Sequence, residues 1–189
     1  MLANGRILET MSVIAFDRDK FRELIVYVAH QTKDDPTFGD THLNKVLYWT
    51  DFDGYSAYGR PVTGAKYFKL QFGPAAKPLM PVRHEMVENG ELEVIDPPRG
   101  SKKARKTLPL RPPDTSRFSQ EELELVDELI HRLQGLTAKA VSDLSHKEAG
   151  WRLVELYDDI PYRMSLLSDE RPSEETIAQG RLKAARLGW

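Results

Sequence analysis

The stretch DTHLNKVLYWTDFDGYSAYG, residues 40–59, places apolar side chains on more than one side of a helix: Leu43, Val46 and Leu47, then Tyr48, Trp49 and Phe52. A helix that is apolar around much of its circumference needs neighbours on several sides and belongs in the middle of a core. Asp40 is read as its N-cap, and its end is placed at Gly54 or Gly59. This helix is read as the middle of the fold.

On its N-terminal side, Phe21, Leu24, Ile25 and Val28 recur at helical spacing, with Asp17 placed to cap the first turn. Asp34, Pro36 and Gly39 end that pattern. On the C-terminal side, seven Gly and Pro residues between Gly59 and Pro81 exclude a regular helix. Within that region Lys66–Phe72 reads as a short extended piece, and Pro78 and Pro81 suit the first turn of a helix ending near Gly90. Glu91–Ile95 and Lys106–Leu110 alternate polar and apolar residues across a long basic loop, as in a β-hairpin with Pro109 on an edge strand.

The clearest local signal is Ser119 with Glu122, a capping box that opens the stripe Leu123, Val126, Ile130 and Leu133. Thr137 starts a shorter helix through Leu144. Ser145 with Glu148 reads as a second capping box, Pro161 as an interruption, and Ser173 as the cap of a last, mostly polar helix. The expected fold class is mainly α (α+β): a compact multi-helix domain with one small antiparallel β-hairpin. Residues 1–16 read as an irregular leader, 17–167 as a single domain, and 168–189 as a polar C-terminal extension.

The chain has 189 residues, 27 basic and 29 acidic, and no cysteine. That composition is globular, and it excludes disulfides, thiol nucleophiles and thiolate metal sites. No apolar run reaches the roughly 20 residues of a membrane span, and no secretory signal opens the chain, so the cytoplasm is the expected location. The five histidines lack any H-x-x-x-H spacing, and no phosphate-binding loop, dinucleotide fingerprint or serine elbow is present. No catalytic, metal-binding or cofactor-binding residue is assigned. Asp51 and Asp53 are read as solvated or capping carboxylates, because residues two apart on a helix do not face each other.

Two charged clusters adjoin. Arg99, Lys102, Lys103, Arg105, Lys106 and Arg111 crowd the hairpin, and Glu121, Glu122, Glu124, Asp127 and Glu128 make an acidic half-helix. Lys102, Lys103, Arg105 and Lys106 are the candidate basic patch. Tyr55 and Tyr58 lie in an aromatic-rich stretch whose surplus rings suit a protein interface.

Four motifs in order carry a resemblance. His42–Asp51 looks like an L-x-K-L-L-Y-Y helix run containing Lys45 and Tyr48. Val62–Tyr67 is similar to an I-T-G-x-x-Y turn, with Thr63, Gly64 and Tyr67 in place. Phe72-Gly73-Pro74 matches an aromatic-Gly-Pro step. Ser145-His146, Trp151 and Ile160-Pro161-Tyr162 resemble an S-H…W…I-P-Y ending. Together they resemble the SocA-like antitoxin family, or Panacea domain, of bacterial and phage toxin–antitoxin systems; Trp49 and Phe72 stand where tyrosine is commoner. The resemblance implies a non-enzymatic antitoxin that neutralises a cognate protein toxin, encoded next door, by forming a complex with it. Its motif residues read as fold-specifying: Gly64 and Gly73 for their backbone freedom, Pro74 for chain direction, and Lys45 for a carboxylate or helix-end carbonyls. Glu121, Glu122 and Glu124, with Tyr55 and Tyr58, are the candidate toxin contacts, on the argument that a toxin acting on nucleotides or RNA presents a basic site. The alternative is a nucleic-acid-binding regulator using the basic hairpin. A metal-dependent hydrolase built on His84 or His146 ranks third. The sequence specifies no homo-oligomer.

Overall fold

The computed structural model describes residues 14–98 and 104–167. Among these, six α-helices and two antiparallel ribbons make a mainly α fold. The helices are α1 Arg18–Gln31, α2 Asp40–Tyr58, α3 Leu79–Glu88, α4 Gln120–Leu133, α5 Ala138–Ser145 and α6 Ala149–Leu153. The strands are β1 Tyr67–Leu70, β2 Gly73–Ala76, β3 Leu92–Ile95 and β4 Lys106–Pro109, and a 3₁₀ turn, Tyr162–Leu166, closes the described chain. No helix among the described residues is long and apolar enough to cross a membrane.

Helix α2 is central, as its all-round apolarity requires: α1, α4, α5, β2 and the closing 3₁₀ turn all pack on it. It runs through Gly54 and ends at Gly59, which takes the left-handed angle that an α-helix end favours. Its N-cap is Gly39 rather than Asp40, whose carboxylate instead accepts from Arg83 of α3 at 2.5 Å. At the same end His42 Nδ1 accepts from Gly39 N–H at 3.4 Å while Nε2 donates to Leu136 O at 2.9 Å, which fixes the tautomer and ties α2 to the α4–α5 connection. In α1 the stripe Phe21, Leu24, Ile25 and Val28 is fully buried, each side chain contributing roughly 1.5–3 kcal/mol of burial, and Asp17 accepts from Lys20 N–H as the cap.

The expected hairpin of β3 and β4 forms, with Leu92 opposite Pro109 and Ile95 opposite Lys106. A second ribbon is the main departure from the single hairpin expected. β1 turns at Gln71-Phe72 and pairs with β2, Tyr67 opposite Ala76 and Leu70 opposite Gly73. The sequence of β2, Gly-Pro-Ala-Ala, has no alternation and no β-branched residue; packing against α2 makes it a strand, not propensity. Residues 157–160 then run along the other edge of β1: Tyr157 N–H donates to Lys69 O, Lys69 N–H to Asp158 O, and Ile160 N–H to Tyr67 O.

Two cap assignments separate here. Ser119 and Glu122 form the expected box on α4. Ser145 caps nothing; it is the last residue of α5, and its hydroxyl donates back to Ser142 O at 2.8 Å. The leader ahead of Ile14, the residues beyond Leu167 and the Ser173 cap lie outside the described residues.

Candidate functional site

The motif residues gather in two buried clusters, one where β1 begins and one under the β1–β2 turn. The first surrounds Asp51. This residue follows Leu43 and Leu47 at four-residue intervals along the buried face of α2, so its carboxyl enters the core and is fully buried. Oδ1 accepts from Thr63 N–H at 2.5 Å, and Oδ2 lies 2.6 Å from Thr63 Oγ1, 2.9 Å from the Tyr67 hydroxyl and 3.3 Å from that of Tyr162. The carboxyl thereby fixes the Thr63-Gly64 turn, with Gly64 at φ 72° where Ala15 O packs against its bare Cα. The solvated role read for Asp51 is therefore wrong: a one-residue view of Asp-Phe-Asp hides that only the first aspartate shares the apolar face.

Burial pushes the Asp51 carboxyl above its ordinary range, with the Thr63 and Tyr67 hydrogen bonds opposing. Hydrogen counting agrees. The Tyr67 hydroxyl has one proton and a carbonyl, Leu47 O, at 2.7 Å; Tyr162 likewise bonds Ala65 O. With the Tyr67 and Tyr162 protons shared with those carbonyls, the Thr63 hydroxyl is the remaining donor to Oδ2, and a neutral acid can return its own proton to a tyrosine oxygen.

The second cluster lies under the β1–β2 turn. Lys45, 3% exposed, reaches from α2 to donate to Pro74 O at 3.0 Å. Burial brings its ammonium down to about 7. Of the two partners expected for it, it takes carbonyl oxygen. Gly73, at φ 104°, makes this approach feasible, because a Cβ there sits 2.6 Å from Lys45 Cε and collides with Ser145 Oγ. Ser142 Oγ donates to Phe72 O at 3.1 Å, and Trp151 Nε1 donates to Leu70 O at 3.0 Å. Trp151 is stacked by His146 at 3.9 Å, and the Lys69 ammonium lies 4.4 Å from the Trp151 ring. Tyr48, buried beside Phe52 and Tyr67, completes the floor between the two clusters, and Pro161 sets the extended entry to the closing turn.

Gly73→Ala is expected to destabilise the protein by about 3 kcal/mol, since it adds backbone strain to a collision with buried atoms. Gly59→Ala, at φ 70° with open space around it, should cost nearer 1 kcal/mol. Urea denaturation of the two variants measures the difference; equal losses would show that Gly73 is not tightly packed against Lys45 and Ser145.

The candidate partner residues divide. Tyr58, 42% exposed, donates to Glu121 O at 3.3 Å, so the end of α2 and the start of α4 present one surface. Tyr55 stacks on Tyr162 at 5.6 Å beside it, and Glu124 is exposed one turn along α4. Glu122 is corrected: it is 2% exposed, held by Lys20 at 2.7 Å and Arg60 at 3.3 Å, and closes the capping box, so it offers no face to a partner.

The described residues of the basic cluster, Arg105, Lys106 and Arg111, are engaged within the chain. Arg105 pairs with Asp96 at 2.5 Å, and Lys106 donates to Lys33 O and Asp35 O at 2.6 and 2.7 Å, just beyond α1. Arg111 binds Glu23 and Glu91 at 2.6 and 2.7 Å, in a chain that continues through Arg22 and Glu85 to Arg18. Arg99, Lys102 and Lys103 lie outside the described residues. His84 is exposed on α3, 3.5 Å from Glu88. Sequence reading missed Asp51 and the Phe72 carbonyl contact; the signal for Asp51 was its register with Leu43 and Leu47.

The model of the antitoxin SocA-like family, Panacea domain, matches residues 43–152. The chain belongs to that family. No curated protein and no solved structure matches it. The matched span of this SocA-like chain runs from α2 through most of α6, and so contains Asp51, Lys45, the β1–β2 turn and the Tyr58–Glu121 contact. It leaves out α1 and the Tyr157–Ile160 segment that lies on β1.

Proposed function

We propose that this Panacea-domain chain is a cytoplasmic antitoxin that neutralises a protein toxin, encoded beside it, through a direct and stable complex. Membership of the SocA-like antitoxin family carries the reading. The buried clusters hold the scaffold, with Ser145 fully buried and its proton on a carbonyl. The contact face is assigned to Tyr58, Tyr55, Glu121 and Glu124, where an exposed aromatic ring adjoins exposed carboxylates. A ring of this kind anchors an interface, and carboxylates steer a basic partner with a rate that falls as salt rises.

Tyr58→Ala combined with Glu121→Lys and Glu124→Lys is expected to weaken the complex by about 2 kcal/mol or more, roughly thirtyfold, and to abolish rescue of toxin-poisoned cells. The purified variant should keep its helical circular dichroism, since the three side chains are exposed or rim-placed. Rescue at the level of the unaltered antitoxin would remove the assigned face. The regulator reading has less support, because Arg105, Lys106 and Arg111 are bound to the chain's own acids and carbonyls rather than presented to phosphates.

A further inference from the structure

Two bases meet beneath the β1–β2 turn with few acceptors. His146 Nε2 is buried and has no hydrogen-bond partner, while the Gln71 backbone bonds the ring, which leaves that bond to Nδ1. Lys45 has Pro74 O as its hydrogen-bond acceptor. Each element around the pair contributes identifiable charges. From α5 come Lys139 and Asp143, which pair with each other at 2.6 Å on the surface. From β1 comes Lys69, directed to the Trp151 ring and to Val154 O. The α5–α6 connection carries exposed Lys147 and Glu148, which accepts from Trp49 Nε1 at 3.1 Å, α6 carries Arg152, and β2 offers backbone alone. No carboxylate among the described residues is hydrogen-bonded to either base.

Protonating His146 therefore creates a buried donor without an acceptor, beside an ammonium whose charge already disfavours it. Burial, and then Lys45, hold this imidazole below its ordinary value, so it stays neutral at pH 7. The same two bases are next to the contacts that fasten the turn: Ser142 on Phe72 O, Lys45 on Pro74 O, and Trp151 on Leu70 O.

We propose that Lys45 and His146 form a proton-operated latch on the β1–β2 turn, closed while His146 is neutral and opened when both carry charge. Opening frees the turn that bears Phe72, a residue already 68% exposed. The device is separate from toxin binding and is testable in the free protein.

NMR titration of the full chain from pH 8 to 5 tests it by following the His146 ring, the Trp151 indole N–H and the Phe72 amide. The His146 midpoint is expected below 6.5, with the Trp151 and Phe72 signals moving at that same midpoint. Lys45→Met should raise the His146 midpoint by about half a unit or more by removing the neighbouring charge. An unchanged midpoint in Lys45→Met, or Trp151 and Phe72 signals that ignore the titration, would overturn the proposal. His146→Gln gives a second arm should Lys45→Met fail to fold: the Trp151 and Phe72 transitions must vanish in it, and their persistence counts equally against the latch.

Discussion

Asp51→Ala is expected to cost the fold about 3–5 kcal/mol, while Asp51→Asn should cost about 1 kcal/mol or less. Alanine removes the acceptor of the Thr63 amide and of the Thr63 hydroxyl at a fully buried position, and empties the space that the Tyr67 and Tyr162 hydroxyls face. Asparagine keeps an acceptor for Thr63 N–H and supplies an amide donor where the neutral acid holds its proton. Against a domain stability of about 5–15 kcal/mol, the alanine loss lowers Tm by roughly 10 °C or more. Thermal melts of both variants decide the point. If asparagine proves as damaging as alanine, the group is an ionised carboxylate and the hydrogen count is wrong. A carboxyl whose folded value is raised binds its proton more tightly in the native state, so its contribution is full at low pH and falls as pH rises above 3.8.

The second large effect has the opposite pH dependence. Lys45→Met is expected to stabilise the protein by about 2 kcal/mol at pH 6 and to destabilise it by about 1 kcal/mol at pH 11. Methionine fills the aliphatic path of the lysine but gives up the bond to Pro74 O. At pH 11 that lost bond dominates, because the lysine is then largely neutral both folded and unfolded. At pH 6 the unaltered chain must bury an ammonium that the unfolded chain leaves in water. A base whose folded value is depressed from 10.5 to about 7 binds protons better when unfolded, so stability declines as pH falls through that window and is lost in full below it. Urea denaturation at the two pH values measures the crossover. A Lys45→Met protein less stable at pH 6 as well would mean that the ammonium is compensated by carbonyls more fully than its burial indicates.

How much of this was legible in the sequence depends on how local each cause is. The central position of α2 follows from Leu43, Val46, Leu47, Trp49 and Phe52 leaving it no continuous polar side. The Asp17 and Ser119 caps follow from side chains acting within three residues. The β1–β2 ribbon was half visible: Tyr67–Leu70 looks extended, but Gly73–Ala76 becomes a strand only through α2 and β1. Long-range pairing was out of reach. The basic cluster around Arg111 reads as free charge until Glu23, 88 residues earlier, is placed beside it. Glu122 was the avoidable error, since a carboxylate already assigned to a capping box is not free to meet a partner.

Co-expression with the protein encoded beside it, followed by affinity purification and a growth assay, tests the central claim most directly. The antitoxin reading predicts that the neighbour arrests growth alone, that this chain restores it, and that the two purify together until Tyr58, Glu121 and Glu124 are changed. A toxic neighbour whose arrest is relieved without any complex forming would contradict neutralisation by direct binding.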